Sequence, residues 1–123
     1  MVYIPHPFIP FIASSLGEEL YEFFKEIDII EGVNARSFFG RSGRRASQFA
    51  QDHKIATAVG SDAHTRFEIG NAYMELEEFN GPQEFLRNLR EAKAIIKGRG
   101  WLFSPFSYAI LFLSKIQRKD KQL

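Results

Sequence analysis

Short apolar runs, each stopped by a proline, a glycine or a polar cluster and separated by stretches of helical length, constrain this chain more than any other feature. Strands joined through a helix return in the same direction and pair parallel, whereas antiparallel neighbours need only a tight turn. Val2, Tyr3 and Ile4 form a β-prone run that ends at Pro5. Ser15 and Glu18 have capping-box spacing, and Leu20, Phe23, Phe24 and Ile27 follow at helical intervals, which predicts a helix to Glu26. Residues 28–33, DIIEGV, read as a second strand, with Gly32 marking a bulge or a close backbone approach.

Residues 38–45, FFGRSGRR, carry two glycines and three arginines and are expected as an exposed loop. Ala46, Phe49 and Ala50 then give a short apolar face to a helix ending near His53. Residues 54–59, KIATAV, form a compact strand stopped by Gly60, Ser61 and Asp62. A further strand is expected at residues 72–76, AYMEL. Asn80, Gly81 and Pro82 open a helix with Phe85, Leu86 and Leu89 on one face. The order β-α-β-α-β-β-α-α predicts an α/β layout of mainly parallel strands covered by helices, whose chemistry sits at strand C-termini.

The last helix of that order is residues 101–114, WLFSPFSYAILFLS, followed by a basic tail with Lys115, Arg118 and Lys119. Ser104 and Pro105 suit a helix start. The run falls short of the roughly 18 to 20 apolar residues a membrane span needs, so it is expected to pack as a terminal helix rather than lie on a membrane surface. The 123 residues are sized for one domain. Sixteen Lys and Arg against fifteen Asp and Glu leave a formal charge of +1, which excludes bulk attraction to polyanions as the main activity. With no cysteine there is neither a disulfide framework nor a thiolate metal site, and no secretory leader is visible, so a cytoplasmic location is expected.

The chemistry-bearing residues gather at the predicted strand ends. His6 lies between Pro5 and Pro7 after the first run, Glu31 and Asn34 close the second, and GSDAH at residues 60–64 follows the third. In an extended segment, residues two apart project to the same side, so Asp62 and His64 can aim a carboxylate oxygen and an imidazole nitrogen at one point. Imidazole with carboxylate suits zinc, manganese or iron. His53 falls at the carbonyl end of its helix, where a histidine is favourable, and is read as structural.

IPHPF at residues 4–8, DIIEGVNAR at residues 28–36 and GSDAH at residues 60–64 together resemble the PHP (polymerase and histidinol phosphatase) domain, and most of all its stand-alone metal-dependent phosphoesterases. The resemblance continues through Glu68 to Gly70 and the helix after Pro82. It implies a distorted (β/α)7 TIM-like barrel with divalent metal ions at the strand C-termini. Members of that family open with an H-x-H pair and supply further Asp, His, Glu and His ligands before the HP motif. Only His6, His53 and His64 are present here, so the chain is expected to be the C-terminal half of such a barrel, with an incomplete metal site. Ile9 also stands where relatives often carry an acidic residue.

By this resemblance His6, Asp62 and His64 are metal ligands, and the reaction is hydrolysis of phosphate esters by metal-activated water. Arg66 and Arg36 are candidates for holding the substrate phosphate, and Glu31 and Asn34 for orienting the site from behind the ligands. The expected substrates are phosphorylated small molecules, nucleotides or nucleic-acid ends. An open half-barrel also invites a second chain to cover it. The alternative is a non-catalytic binding or regulatory module built on the same half-barrel.

Overall fold

A computed structural model describes residues 1–10, 15–36 and 41–97. Their strands make two sheets. Strand β1 (Tyr3–Ile4), β2 (Ile29–Asn34) and β3 (Ala56–Gly60) form a parallel sheet in the order β1-β2-β3, as the helix-separated runs require. Strands β4 (Ala72–Glu75) and β5 (Lys93–Ile96) pair antiparallel, with Tyr73 opposite Ile95 and Met74 opposite Ala94.

Strand β2 lies in the middle and is buried on both faces, the usual state of a parallel strand flanked by helices. Ile29 and Ile30 point to opposite sides because successive residues of a strand alternate. Ile30 joins Phe8, Leu20, Ile27, Ala46, Phe49 and Ala50 in one core cluster. Ile29 joins Ala56 and Leu89 in a second, against which Phe85, Leu86 and Met74 pack. The first cluster is closed by α2 (Arg41–His53) and the second by α3 (Pro82–Glu91). The parallel register shifts between Glu31 and Val33, so the expected bulge at Gly32 is present.

Three expectations need correction. The arginine-rich stretch is not a loop where it is described: Arg41 to Arg45 are the first turn of α2. A Cβ on Gly43 would stand 2.8 Å from the Gly32 carbonyl oxygen, so glycine there lets the helix start directly against the β2 bulge. Packing of this kind outweighs the cost of about 1 kcal/mol for glycine in a helix. The capping box also fails to form. The Ser15 hydroxyl donates to the Pro7 carbonyl at 2.7 Å, and the segment proceeds as a 3-10 turn (Gly17–Glu19), α1 (Leu20–Phe23) and a second 3-10 turn (Phe24–Glu26).

The third correction is β5, a strand that the expected order of elements lacks. α3 stops at Glu91 and the chain turns extended at Ala92, which brings Lys93–Ile96 back along β4. The described strands thus give an α/β fold with an open parallel sheet, and no barrel is closed among the described residues. No helix among them is long and apolar enough to cross a membrane. The expected helix at residues 101–114 lies outside the described residues, as do residues 38–40 of the predicted loop.

Candidate functional site

The parallel pairing sets the C-terminal ends of β1, β2 and β3 side by side, and each end carries residues singled out from the sequence. His6 follows β1 with φ +32, and Asp62 follows β3 with φ +48. An L-residue in the left-handed region is uncommon and costs about 1–2 kcal/mol. Such geometry persists only where neighbours hold it in place. Among the described non-glycine residues, the other one with positive φ is Lys54, which ends α2 in an ordinary helix-stop conformation.

Two buried glutamates do the holding. Glu31 is 5% exposed at the β2 bulge, and its Oε2 accepts the His6 backbone N–H at 2.7 Å and the Asn34 amide at 2.9 Å. Its Oε1 accepts the Tyr3 hydroxyl at 3.4 Å. The Asn34 carbonyl oxygen Oδ1 in turn accepts the Arg36 backbone N–H at 2.9 Å. Space for this carboxylate exists because residue 60 is glycine: a Cβ there would stand 2.0 Å from Glu31 Oε1.

Glu68 repeats the device on the β3 side. It is fully buried, and its Oε2 accepts the His64 N–H at 2.9 Å, the Thr65 N–H at 2.7 Å and the Thr65 hydroxyl at 3.0 Å. Its Oε1 faces the Arg36 guanidinium at 3.6 Å, an ion pair with both side chains buried. Arg36 also donates to the Asp62 carbonyl at 3.4 Å, tying the end of β2 to the turn after β3.

His64 has its ring orientation fixed from the same point. Its Nδ1 lies 2.8 Å from the Asp62 carbonyl oxygen, an atom that only accepts, so Nδ1 carries a proton and in the neutral ring Nε2 keeps its lone pair. A metal-binding histidine has this arrangement, with one ring nitrogen donating to a carbonyl or carboxylate and the other left for the ion. The Asp62 carboxylate stands 3.7 Å from the same ring. Burial first, then the negative charge of Glu31, the hydrogen bond to it and the charge of Asp62 raise the Tyr3 phenol above its ordinary pKa. Although much of Tyr3 is exposed, its hydroxyl end is tucked among these carboxylates.

The structure therefore brings Asp62 and His64 together and places His6 beside Glu31 at the adjacent strand ends. It does not gather three donors: among the described residues no group of three His, Asp or Glu side chains is placed to hold a metal ion. The donor types suit a divalent metal, but these residues by themselves do not enclose one. Arg66 is exposed and stacks its guanidinium 4.8 Å from the Phe67 ring. Arg36 is turned inward onto Glu68 and Asp62. Glu68 and Tyr3 were not among the residues singled out for function. Glu68 had one sequence signal, an acidic side chain four residues after His64 in a turn-forming stretch, whereas nothing local marks Tyr3.

In open α/β sheets ligands bind outside the C-terminal ends of the parallel strands, which is where these carboxylate-braced residues stand. Residues 40–94 match the sequence model of the PHP-associated family, which supports a PHP-family C-terminal domain. It is 35% identical over 101 residues to an uncharacterized protein of Methanocaldococcus jannaschii, a match that covers 73% of this chain and 43% of the relative. It is 32% identical over 88 residues to a probable phosphatase of Clostridium botulinum strain Hall, covering 63% of this chain and 36% of the relative. The chain thus spans less than half the length of these curated relatives. No solved structure matches it at a significant level. These findings support a phosphoesterase-related family.

Proposed function

We propose that this chain supplies one side of a metal-dependent phosphoesterase site, as the C-terminal portion of a PHP-type (β/α)7 barrel. The observation that carries the reading is the His64 ring, fixed through Nδ1 on the Asp62 carbonyl with Nε2 left to bind, beside a strained Asp62. In this reading Asp62 and His64 donate to a divalent ion, zinc, manganese or iron, from the end of β3, and His6 donates from the end of β1. Ligands not found among the described residues complete the set. When bound, such ions polarise a phosphoryl oxygen and lower the pKa of water. The substrates are phosphate esters of small molecules or nucleotides.

The two arginines divide the remaining work. Arg66, exposed two residues beyond His64, is the one able to reach a substrate phosphate with its guanidinium fork. Arg36 acts from behind the ligands together with Glu31 and Asn34, through the Asp62 carbonyl and Glu68. The probable-phosphatase relative supports the reaction class.

Metal analysis of the purified chain, paired with hydrolysis of p-nitrophenyl phosphate, tests this directly. The expected result is metal well below one ion per chain and no hydrolysis above that of Asp62→Ala. Stoichiometric metal with phosphatase activity that Asp62→Ala abolishes would show that the site is complete in this chain, against the proposal. No uptake of metal even from excess zinc or manganese would count against His6, Asp62 and His64 as ligands and favour the binding or regulatory module.

A further inference from the structure

Behind His6 lies a small cavity of about 10 Å3, lined by His6, Glu31, Asn34 and Ser42 together with backbone at Gly32 and Gly43. His6 Nδ1 is buried and makes no hydrogen bond to any atom of the described residues. A buried polar nitrogen left in that state costs about 1–3 kcal/mol. A cavity of roughly 10–15 Å3 is the size that admits one water molecule, provided two to four polar groups surround it. Those groups are present here.

We propose that one buried water occupies this cavity, accepting a hydrogen bond from His6 Nδ1–H and donating to the Glu31 carboxylate and the Ser42 hydroxyl. A carboxylate only accepts, so the water gives one hydrogen to Glu31; with its second hydrogen on the Ser42 hydroxyl, it has only lone pairs left for the ring, and Nδ1 then carries the proton. The water links three elements: the end of β1 through His6, the β2 bulge through Glu31 and the first turn of α2 through Ser42.

This assigns His6 the tautomer that the Asp62 carbonyl imposes on His64. Both rings then present Nε2 with a free lone pair, one through a backbone carbonyl and one through a water. The site stands on the geometry around His6 and holds whether or not either ring binds a metal.

The test uses the full chain labelled with 15N-histidine, in a long-range 1H–15N correlation spectrum recorded about two pH units above the ordinary histidine pKa near 6.5. His6 is expected as a single Nδ1–H tautomer, with a rotating-frame Overhauser contact from that proton to a long-lived water. In Ser42→Ala, which keeps the helix turn, His6 is expected to shift toward a mixture of tautomers while His64 keeps its own. An Nε2–H tautomer of His6 in the unsubstituted chain, or an Nδ1–H proton without the water contact, would overturn the proposal. Zinc added to the same sample reads the metal assignment separately: an unchanged spectrum with the His6 tautomer intact rejects the metal and leaves the water.

Discussion

Replacing Gly60 by alanine probes the architecture at its tightest point. Gly60 ends β3 with ordinary strand backbone, so the substitution brings no conformational penalty of its own and its cost is steric. The new methyl group would stand 2.0 Å from Glu31 Oε1 and 3.2 Å from Glu31 Cδ. A carboxylate on a free side chain would swing aside at little cost. This one is buried and accepts two short hydrogen bonds, at 2.7 Å from the His6 N–H and 2.9 Å from the Asn34 amide. Ordinary contact requires a displacement of more than about 1 Å, beyond the roughly 0.5 Å range of good hydrogen-bond lengths.

Each bond to a charged acceptor is worth about 1.5–3 kcal/mol net, and the displaced carboxylate regains part of that from water. The expected loss is therefore about 2–4 kcal/mol, in the range of an overpacked core site. Urea unfolding followed by circular dichroism reads this as a lower midpoint with an unchanged slope. The decisive arm is a double-mutant cycle with Glu31→Ala. If the cost lies in expelling Glu31, Gly60→Ala should cost less than about 0.5 kcal/mol once Glu31 is absent. Equal costs in both backgrounds would refute the reasoning and place the strain in the backbone instead.

Other perturbations follow from the same geometry. Glu68→Ala removes the carboxylate that faces the buried Arg36 and accepts the His64 and Thr65 N–H groups, and should lower stability by about 3–5 kcal/mol in urea unfolding. Asp62→Gly relieves a left-handed backbone and should raise stability by up to about 1 kcal/mol, read as a higher urea midpoint, although it deletes a proposed ligand. Tyr3 has its phenol pKa raised in the fold, so its contribution to stability is complete below the ordinary phenol value of about 10 and is lost as pH rises beyond it. The unfolded chain releases a proton there that the folded chain retains, and Tyr3→Phe should flatten that alkaline fall in the urea midpoint.

The elements that the sequence made legible are those whose signal is local. The run DIIEGV declared β2 because β-branched residues sit beside a glycine that marks the bulge, and Phe85, Leu86 and Leu89 declared one face of α3. What stayed hidden depends on distant partners. Ser15 looks like a helix cap until the Pro7 carbonyl competes for its hydroxyl. Residues 41–45 look like a loop until Gly43 is seen against the Gly32 carbonyl. β5 is four residues long and becomes a strand only beside β4.

The site divides along the same line. The motifs pointed to His6, Asp62 and His64, and the structure places each at the end of a parallel strand. The carboxylates that brace them were harder to see, because Glu31 reaches His6 across twenty-five residues of chain. Arg36 was singled out for its fit to phosphate, whereas its buried contact with Glu68 arises only when the turn after β3 folds back over β2.

Whether His6 and His64 face a metal at these strand ends is read by titrating zinc into the 15N-histidine-labelled chain. All three histidines are visible in one spectrum, and His53, held among the rings of Tyr21, Phe24 and Phe49, serves as an internal control. Zinc is expected to move the Nε2 resonances of His6 and His64, to leave His53 unchanged, and to lose its effect on His64 in Asp62→Ala. Zinc that moves His53 alone, or that leaves His6 and His64 where they were, would contradict it.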